Sequence, residues 1–257
     1  EPVPEFVTGV HSAAAIRAYA LAAKPVWLDA RPDRLLYRAI DLPWSEPKLL
    51  ANAARVSRGP WSLGAAIDRT GLVASQQLFG IWRKGENAPS LQALAALLNS
   101  PVGAAYIASH SPPDRIRVSA VRSVPLPSAL PSQLDPLVDR YVSALESAAV
   151  GPFFEDAVAP QLQQMLSEID EAVLRAYDLP PKLERDLLEY FRGAERPTVH
   201  PWRHWWPDAV TPAFNLSSLR SQDLSRASGS WITQVFRPLP VHEARLLREA
   251  LADADGR

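Results

Sequence analysis

Residues 48–84 read KLLANAARVSRGPWSLGAAIDRTGLVASQQLFGIWRK, and how these residues pair decides the fold. Two apolar runs, 49–56 and 61–67, flank Ser57-Arg58-Gly59-Pro60. A third run, 72–82, follows Asp68-Arg69-Thr70-Gly71. Gly and Pro at these breaks are turn signals, and an Asp-to-Gly break between apolar runs suits a hairpin. The spacing predicts a three-stranded antiparallel meander. Its turns and outer face are polar and cationic, carrying Arg55, Arg58, Arg69, Arg83 and Lys84. Ser75, Gln76 and Gln77 interrupt the third run where a core strand would hold apolar residues.

The remainder of the chain bounds what this sheet belongs to. With 257 residues there is room for one large domain or two small ones. Apolar residues make up 47% and charged residues 21%, the balance of an ordinary globular protein. Net charge is −1, so any affinity for nucleic acid must come from a local patch. The absence of cysteine rules out disulfides, thiol chemistry and cysteine-based zinc sites, and fits a reducing cytoplasm. No apolar run reaches the roughly 18–20 residues that span a bilayer, so no membrane partner is expected.

Upstream of the sheet, Ser12 before Ala13-Ala14-Ala15 predicts a helix with a Ser N-cap, and residues 25–28 predict a strand. Residues 35–40 suit either a strand or a helical turn. Downstream, Leu91, Leu94, Leu97 and Leu98 have helical spacing behind Ser90, and Pro101 opens a second helix. Residues 115–118 alternate charged and apolar, as an edge strand does. The Pro-rich segment 124–131 is a rigid connector. From Gln133 to Tyr177 the pattern is helical, broken at Gly151-Pro152. A stripe of Leu162, Met165, Leu166, Ile169, Val173, Leu174 and Tyr177 marks one face, while Glu168, Asp170 and Glu171 are expected on a solvated face. A third helix is expected over 182–191, with Gly193 as its C-cap. The Trp-, Pro- and Ser-rich stretch 194–230 reads as a loop wrapping onto the body. A strand over 231–236 and a helix over 241–251 are expected to follow.

Two blocks carry a resemblance. The first is PWSEPKLLANAARVSRGPWSLGAAIDRTGLVASQQLFGIW. The second is LQALAALLNSPVGAAYIASHS followed by RIRVSAVRSVPLPSALPSQLDPLV. Together they resemble the target-recognition region that follows the catalytic domain of adenine-specific DNA methyltransferases in restriction–modification systems. The second block is similar to type I restriction specificity subunits, in which a helix ending Leu-Leu-Asn-Ser leads to a short strand and an Ile-Pro-x-Pro segment. Here that segment is Val124-Pro125-Leu126-Pro127. The likeness spans roughly residues 42–192, and IDEAVLRAYDLPPKLERDLLEYF resembles a helical coda near the C-terminus of the same enzymes. It implies double-stranded DNA as one partner and a methyltransferase catalytic domain or subunit as the other. S-adenosylmethionine would sit in that fused or partner domain, with no cofactor held by this chain. The first residue is Glu rather than Met, which suits a fragment of a longer protein, and the family's catalytic domain would lie upstream; a catalytic domain supplied in trans is the alternative.

Candidate DNA-binding residues follow from side-chain chemistry. Arg55 and Arg58 beside a Gly-Pro turn suit phosphates or guanine edges, and Trp61 suits a sugar or base. The alternative is a solvated turn with Trp61 in the core. Gln76 and Gln77 can pair in two places with adenine in the major groove; the alternative is a polar strand edge. Arg69, Arg83 and Lys84 extend the cationic set. Arg115, Arg117 and Arg122, near the connector, suit phosphate clamps.

Catalytic patterns are weaker. Ser111-Pro112-Pro113-Asp114 approaches the adenine-methyltransferase motif, but Asp114 stands where an aromatic should stack on the flipped base, and there is no Gly-rich loop for S-adenosylmethionine. His200 and His204 are spaced for a metal on one helix face, yet prolines and the missing third ligand favour packing. Asp33, Glu46 and Lys48 mimic a magnesium nuclease, although Pro47 would sit within its core strand. No catalytic or metal-binding residue is therefore expected.

The expectation is an α+β protein. A mixed, mainly antiparallel recognition domain covers 1–130, a helical spacer or docking segment 131–192, and a Trp/Pro-rich tail 193–257. Its role would be non-catalytic DNA target recognition in the cytoplasm. The alternatives are the small magnesium nuclease, or a protein–protein scaffold left from a degenerate restriction system.

Overall fold

A computed structural model describes residues 6–31, 33, 39–148 and 155–199. The strands are β1 (Phe6–Val10), β2 (Ile16–Arg17), β3 (Ala20–Leu21), β4 (Val26–Asp29), β5 (Lys48–Asn52), β6 (Ala65–Asp68), β7 (Val73–Ala74) and β8 (Leu78–Ile81). The helices are α1 (Leu91–Asn99), α2 (Pro101–His110), α3 (Val118–Arg122), α4 (Leu134–Ala148), α5 (Glu155–Tyr177) and α6 (Pro181–Tyr190). The class is α+β, with mainly antiparallel pairing. No single described helix is long and apolar enough to cross a membrane.

The three predicted runs do form an antiparallel sheet, but not a meander. β5 lies in the middle, with β6 on one side and β8 on the other. The reason is the chemistry of the two turns after β6. Asp68 accepts the backbone N–H groups of Thr70 (2.8 Å) and Leu72 (2.9 Å) and the Thr70 hydroxyl (2.7 Å). Gly71 takes φ 84°, open to glycine at little cost. Together they steer the chain out of the sheet, so β7 pairs parallel with β1 in a second sheet, ordered β4-β1-β7. Ser75-Gln76-Gln77 is then a turn rather than a polar patch in a strand, and it returns the chain as β8 on the far edge of β5.

Every residue of β5 is buried. Leu49 and Ala51 face a core built with α1, α4 and α5. Leu50 faces the opposite cluster, with Val10, Ile16, Trp44 and Leu78. A strand covered on both faces reads as a continuous apolar run, which is how it appears in the sequence.

The helices follow their local signals. Ser90 Oγ caps α1 by accepting from Ala93 N, and Ser100 Oγ caps α2 by accepting from Gly103 N. Asn99 at the end of α1 bonds both backbone groups of Ala65: its Oδ1 accepts from the N–H (3.0 Å) and its Nδ2 donates to the carbonyl (2.8 Å). That stitches α1 to β6. Gly103 lets α2 turn tightly against α1, because a Cβ there would lie 2.1 Å from the Leu97 carbonyl oxygen. The α5 stripe buries Leu162, Leu166, Ile169, Val173 and Leu174. Tyr177 donates its hydroxyl to the Pro125 carbonyl (2.7 Å), tying the Pro-rich connector to the end of α5.

Three expectations are corrected. The predicted helix after Ser12 is only a 3-10 turn, Ala13–Ala15, after which the chain folds back as the β2–β3 hairpin. Residues 115–118 give an isolated bridge, Ala54 with Arg115, and then α3 rather than an edge strand. Asp170 is buried, not solvated, for the reason given below. The Gly151-Pro152 break, His200, His204 and the strand and helix expected beyond residue 230 lie outside the described residues.

Candidate nucleic-acid interface

The predicted cationic ridge divides when placed on the fold. Arg55 lies just beyond β5, and its guanidinium donates to the carbonyls of Ala108 (3.1 Å) and Ser111 (3.4 Å). It completes the C-terminus of α2, where carbonyls lack helical partners. Trp61 is 1% exposed and packs against Phe191, with ring centroids 4.3 Å apart. Its core alternative is the one the structure adopts, and neither Arg55 nor Trp61 is presented to a ligand.

Strand register separates the rest. Lys48 pairs with Asp68 and Leu49 with Ile81, so Arg69, Arg83 and Lys84 lie beyond the start of β5. Asn52 pairs with Leu78 and Ala54 bridges Arg115, so Gln76, Gln77 and Arg115 lie beyond its end. An extended chain from Gln77 to Arg83 covers about 20 Å at about 3.3 Å per residue. Arg69 sits on the β6 flank, where it pairs with Asp139 of α4 at 3.5 Å. Arg55, Arg58 and Arg69 therefore do not act as one ridge: Arg55 caps a helix, Arg58 is exposed on its loop, and Arg69 is exposed at the other end of β5 in an open pair with α4.

A different grouping replaces it. A groove of about 1400 Å³ runs along β8, lined also by residues of β1, β4, β7, α1 and α3 and of the segment 40–46. Gln76, Arg83, Lys84 and Arg122 line it. All four are exposed. Arg83 is partly engaged, its Nε donating to the Ala88 carbonyl (3.0 Å). Gln76, Lys84 and Arg122 have no side-chain partner among the described residues. Arg117 caps the start of α3 through its backbone, and its side chain is exposed. Arg115 is exposed and pairs with Asp114 at 3.3 Å. An exposed pair of that kind contributes at most about 1 kcal/mol, so it leaves Arg115 free to exchange partners.

The groove is not uniformly cationic. Asp29 and Glu46 line it too, together with Trp44, Trp82, Leu42, Val118 and Leu126. Trp82 donates Nε1–H to the Pro43 carbonyl (2.9 Å) and meets Trp44 edge-on at 5.1 Å, which fixes this wall.

The residues of the nuclease pattern do not assemble. Lys48 is fully buried, donating to Asp68 (2.6 Å) and to the Trp44 carbonyl (2.6 Å). It anchors the turn after β6 and is not open to a water or phosphate. Burial favours a neutral Asp68, but hydrogen bonds from Lys48 and Thr70 outweigh it and hold the carboxyl below the ordinary range. Among the described residues no three His, Cys, Asp or Glu side chains gather as a metal would need.

A buried pair went unread in the sequence. Arg196 is 1% exposed and binds Asp170 of α5 in two places, Nη1 to Oδ2 at 2.6 Å and Nη2 to Oδ1 at 3.1 Å. Its guanidinium also donates to the Asn99 carbonyl and lies 4.4 Å from the Trp61 ring. Burial pulls its pKa down and the charge of Asp170 more than restores it, while burial pushes the Asp170 carboxyl up against the pull of Arg196. Next to it the Ala18 N–H donates to the Pro197 carbonyl (2.8 Å). The segment 194–199 is thus strapped across α1, α5 and the β2–β3 hairpin.

The chain matches no protein-family model, and no curated protein matches it.

Proposed function

We propose that this chain is the DNA target-recognition part of an adenine-specific methyltransferase or restriction–modification assembly, acting in the cytoplasm without chemistry of its own. In this reading residues 1–130 meet the duplex. The helices of 131–192 hold the catalytic partner, which carries S-adenosylmethionine and flips and methylates the adenine. The observation that supports it is the groove along β8, where Gln76, Lys84 and Arg122 are exposed with no side-chain partner among the described residues. Exposed amides and cations around a concave wall suit base edges and phosphates. Arg58, Arg115 and Arg117 add cationic surface beyond the end of β5 and at the head of α3.

The test is fluorescence anisotropy with duplex DNA across a salt series. Each phosphate contact adds about 0.9 to the slope of log affinity against log salt. Lys84→Ala with Arg122→Ala should flatten that slope by about 2 and leave the fold intact. Absence of duplex binding by the wild-type chain at low salt overturns the reading.

A scaffold role is the second reading, and one observation favours it. Leu42, Val118 and Leu126 are each about half exposed, at 46%, 45% and 54%, and all line the groove. Apolar rims of this kind suit a protein partner more than a phosphate backbone.

A further inference from the structure

Resting on the DNA-recognition reading, we infer that Gln76 is the base-reading residue of the groove and that it selects adenine. Gln76 and Gln77 are adjacent and chemically equal, but the fold treats them differently. Gln77 is exposed as well but is tied to the body: its Oε1 accepts from Ala13 N at 3.2 Å, and its carbonyl accepts from Ala53 N at 2.8 Å. Gln76 sits at the tip of the turn, exposed, lining the groove, with its carboxamide unbonded among the described residues.

The turn that carries it is held from several directions. Ser75 N donates to the Val10 carbonyl (3.0 Å), and Ser75 Oγ donates to the His11 carbonyl. Leu78 N donates to the Ser75 carbonyl (3.0 Å), and Gln77 N donates to Ser75 Oγ (3.3 Å). The strap therefore joins the end of β1 to the start of β8, and Gln77 docks it onto the end of β5 and the 3-10 turn. A side chain on a rigid support loses less entropy when it binds, so its discrimination is sharper. Arg122 lines the same groove and supplies a phosphate contact that fixes register. A glutamine amide offers one donor and one acceptor in one plane, matching N7 and N6–H of adenine in the major groove. Guanine presents two acceptors there, and the amide oxygen would meet one of them.

The experiment is selection from a randomised duplex library by the full chain, wild type against Gln76→Leu and Gln76→Glu. Gln76 makes none of the hydrogen bonds that build its turn, so both variants keep the fold. The wild type should enrich adenine about tenfold at one position. Gln76→Leu should lose that preference alone, keeping the other positions and the salt slope. Gln76→Glu should move it to cytosine, whose amino group a carboxylate accepts. If both variants enrich the same base as the wild type, the assignment to Gln76 is overturned while DNA recognition stands. If the wild type binds no duplex, recognition and assignment fall together.

Discussion

Replacing Arg196 with methionine should be the most damaging single change outside the apolar core. The guanidinium is 1% exposed and Asp170 is fully buried, so solvent does not screen their pairing at 2.6 and 3.1 Å. Breaking a buried pair by removing one partner costs about 3–5 kcal/mol, because the remaining charge has lost its counter-ion. The carbonyl of Asn99 loses a charged donor and Trp61 loses its cation at 4.4 Å, which places the value toward the upper end. With a urea dependence of about 2.5 kcal/mol per molar, a loss of about 4.5 kcal/mol should lower the unfolding midpoint by about 1.8 M. Asp170→Asn should behave similarly. The double change Arg196→Met with Asp170→Leu should recover more than half of the loss, since an apolar pair carries no desolvation cost. Circular dichroism through urea measures all three. A midpoint shift under about 0.4 M for Arg196→Met, or a double variant no better than the singles, would refute the view that this pair locks 194–199 to the body.

The pairing of Asp68 with Lys48 predicts a pH dependence. The folded carboxyl titrates below its unfolded value, so its contribution is present above about pH 4 and is lost as pH falls through that range. Asp68→Asn should be less stable than wild type at pH 7, and the gap should narrow toward pH 3; a constant gap in urea titrations counts against the pairing. Gly103→Ala should place a methyl 2.1 Å from the Leu97 carbonyl oxygen and force α1 and α2 apart. The expected loss is about 2 kcal/mol, seen as a Tm about 6 °C lower, and an unchanged Tm would show that the helix junction can relax.

The parts of the fold legible in sequence are those decided within a few residues. Ser90 and Pro101 start the helices they were expected to start, and the α5 stripe buries as its spacing predicts. What escaped was partner choice. Nothing local says that 78–81 returns to pair with 48–52 rather than with 65–68. The decision lies in Asp68 and Gly71 turning the chain away and in Ser75 binding β1 residues far back in the chain. The helix expected after Ser12 failed for the same reason. A cap and alanines suffice for one turn, and then pairing of Ile16 with Leu21 takes over. A signal for the buried pair was present but unread. Position 170 falls on the apolar stripe, four after Leu166 and three before Val173, and a carboxylate there needs a cation from elsewhere.

The same bookkeeping of hydrogen bonds bears on what the resemblance can support. Its most distinctive word, Leu97-Leu98-Asn99-Ser100, is consumed by architecture: both leucines are buried, Asn99 is bound to Ala65, and Ser100 caps α2. Arg55 and Trp61, from the first block, are likewise committed to a helix end and a core. Side chains built into a helix junction, a helix end or the core are not presented to a ligand, so likeness at these positions speaks to scaffold. Any recognition must reside in groups the fold leaves unspent, and around the groove these are Gln76, Lys84 and Arg122. A substitution at Asn99 or Arg55 that abolished DNA binding would therefore report a damaged scaffold. Only changes at the unspent residues, with stability unchanged, separate a DNA reader from a protein that merely shares its frame.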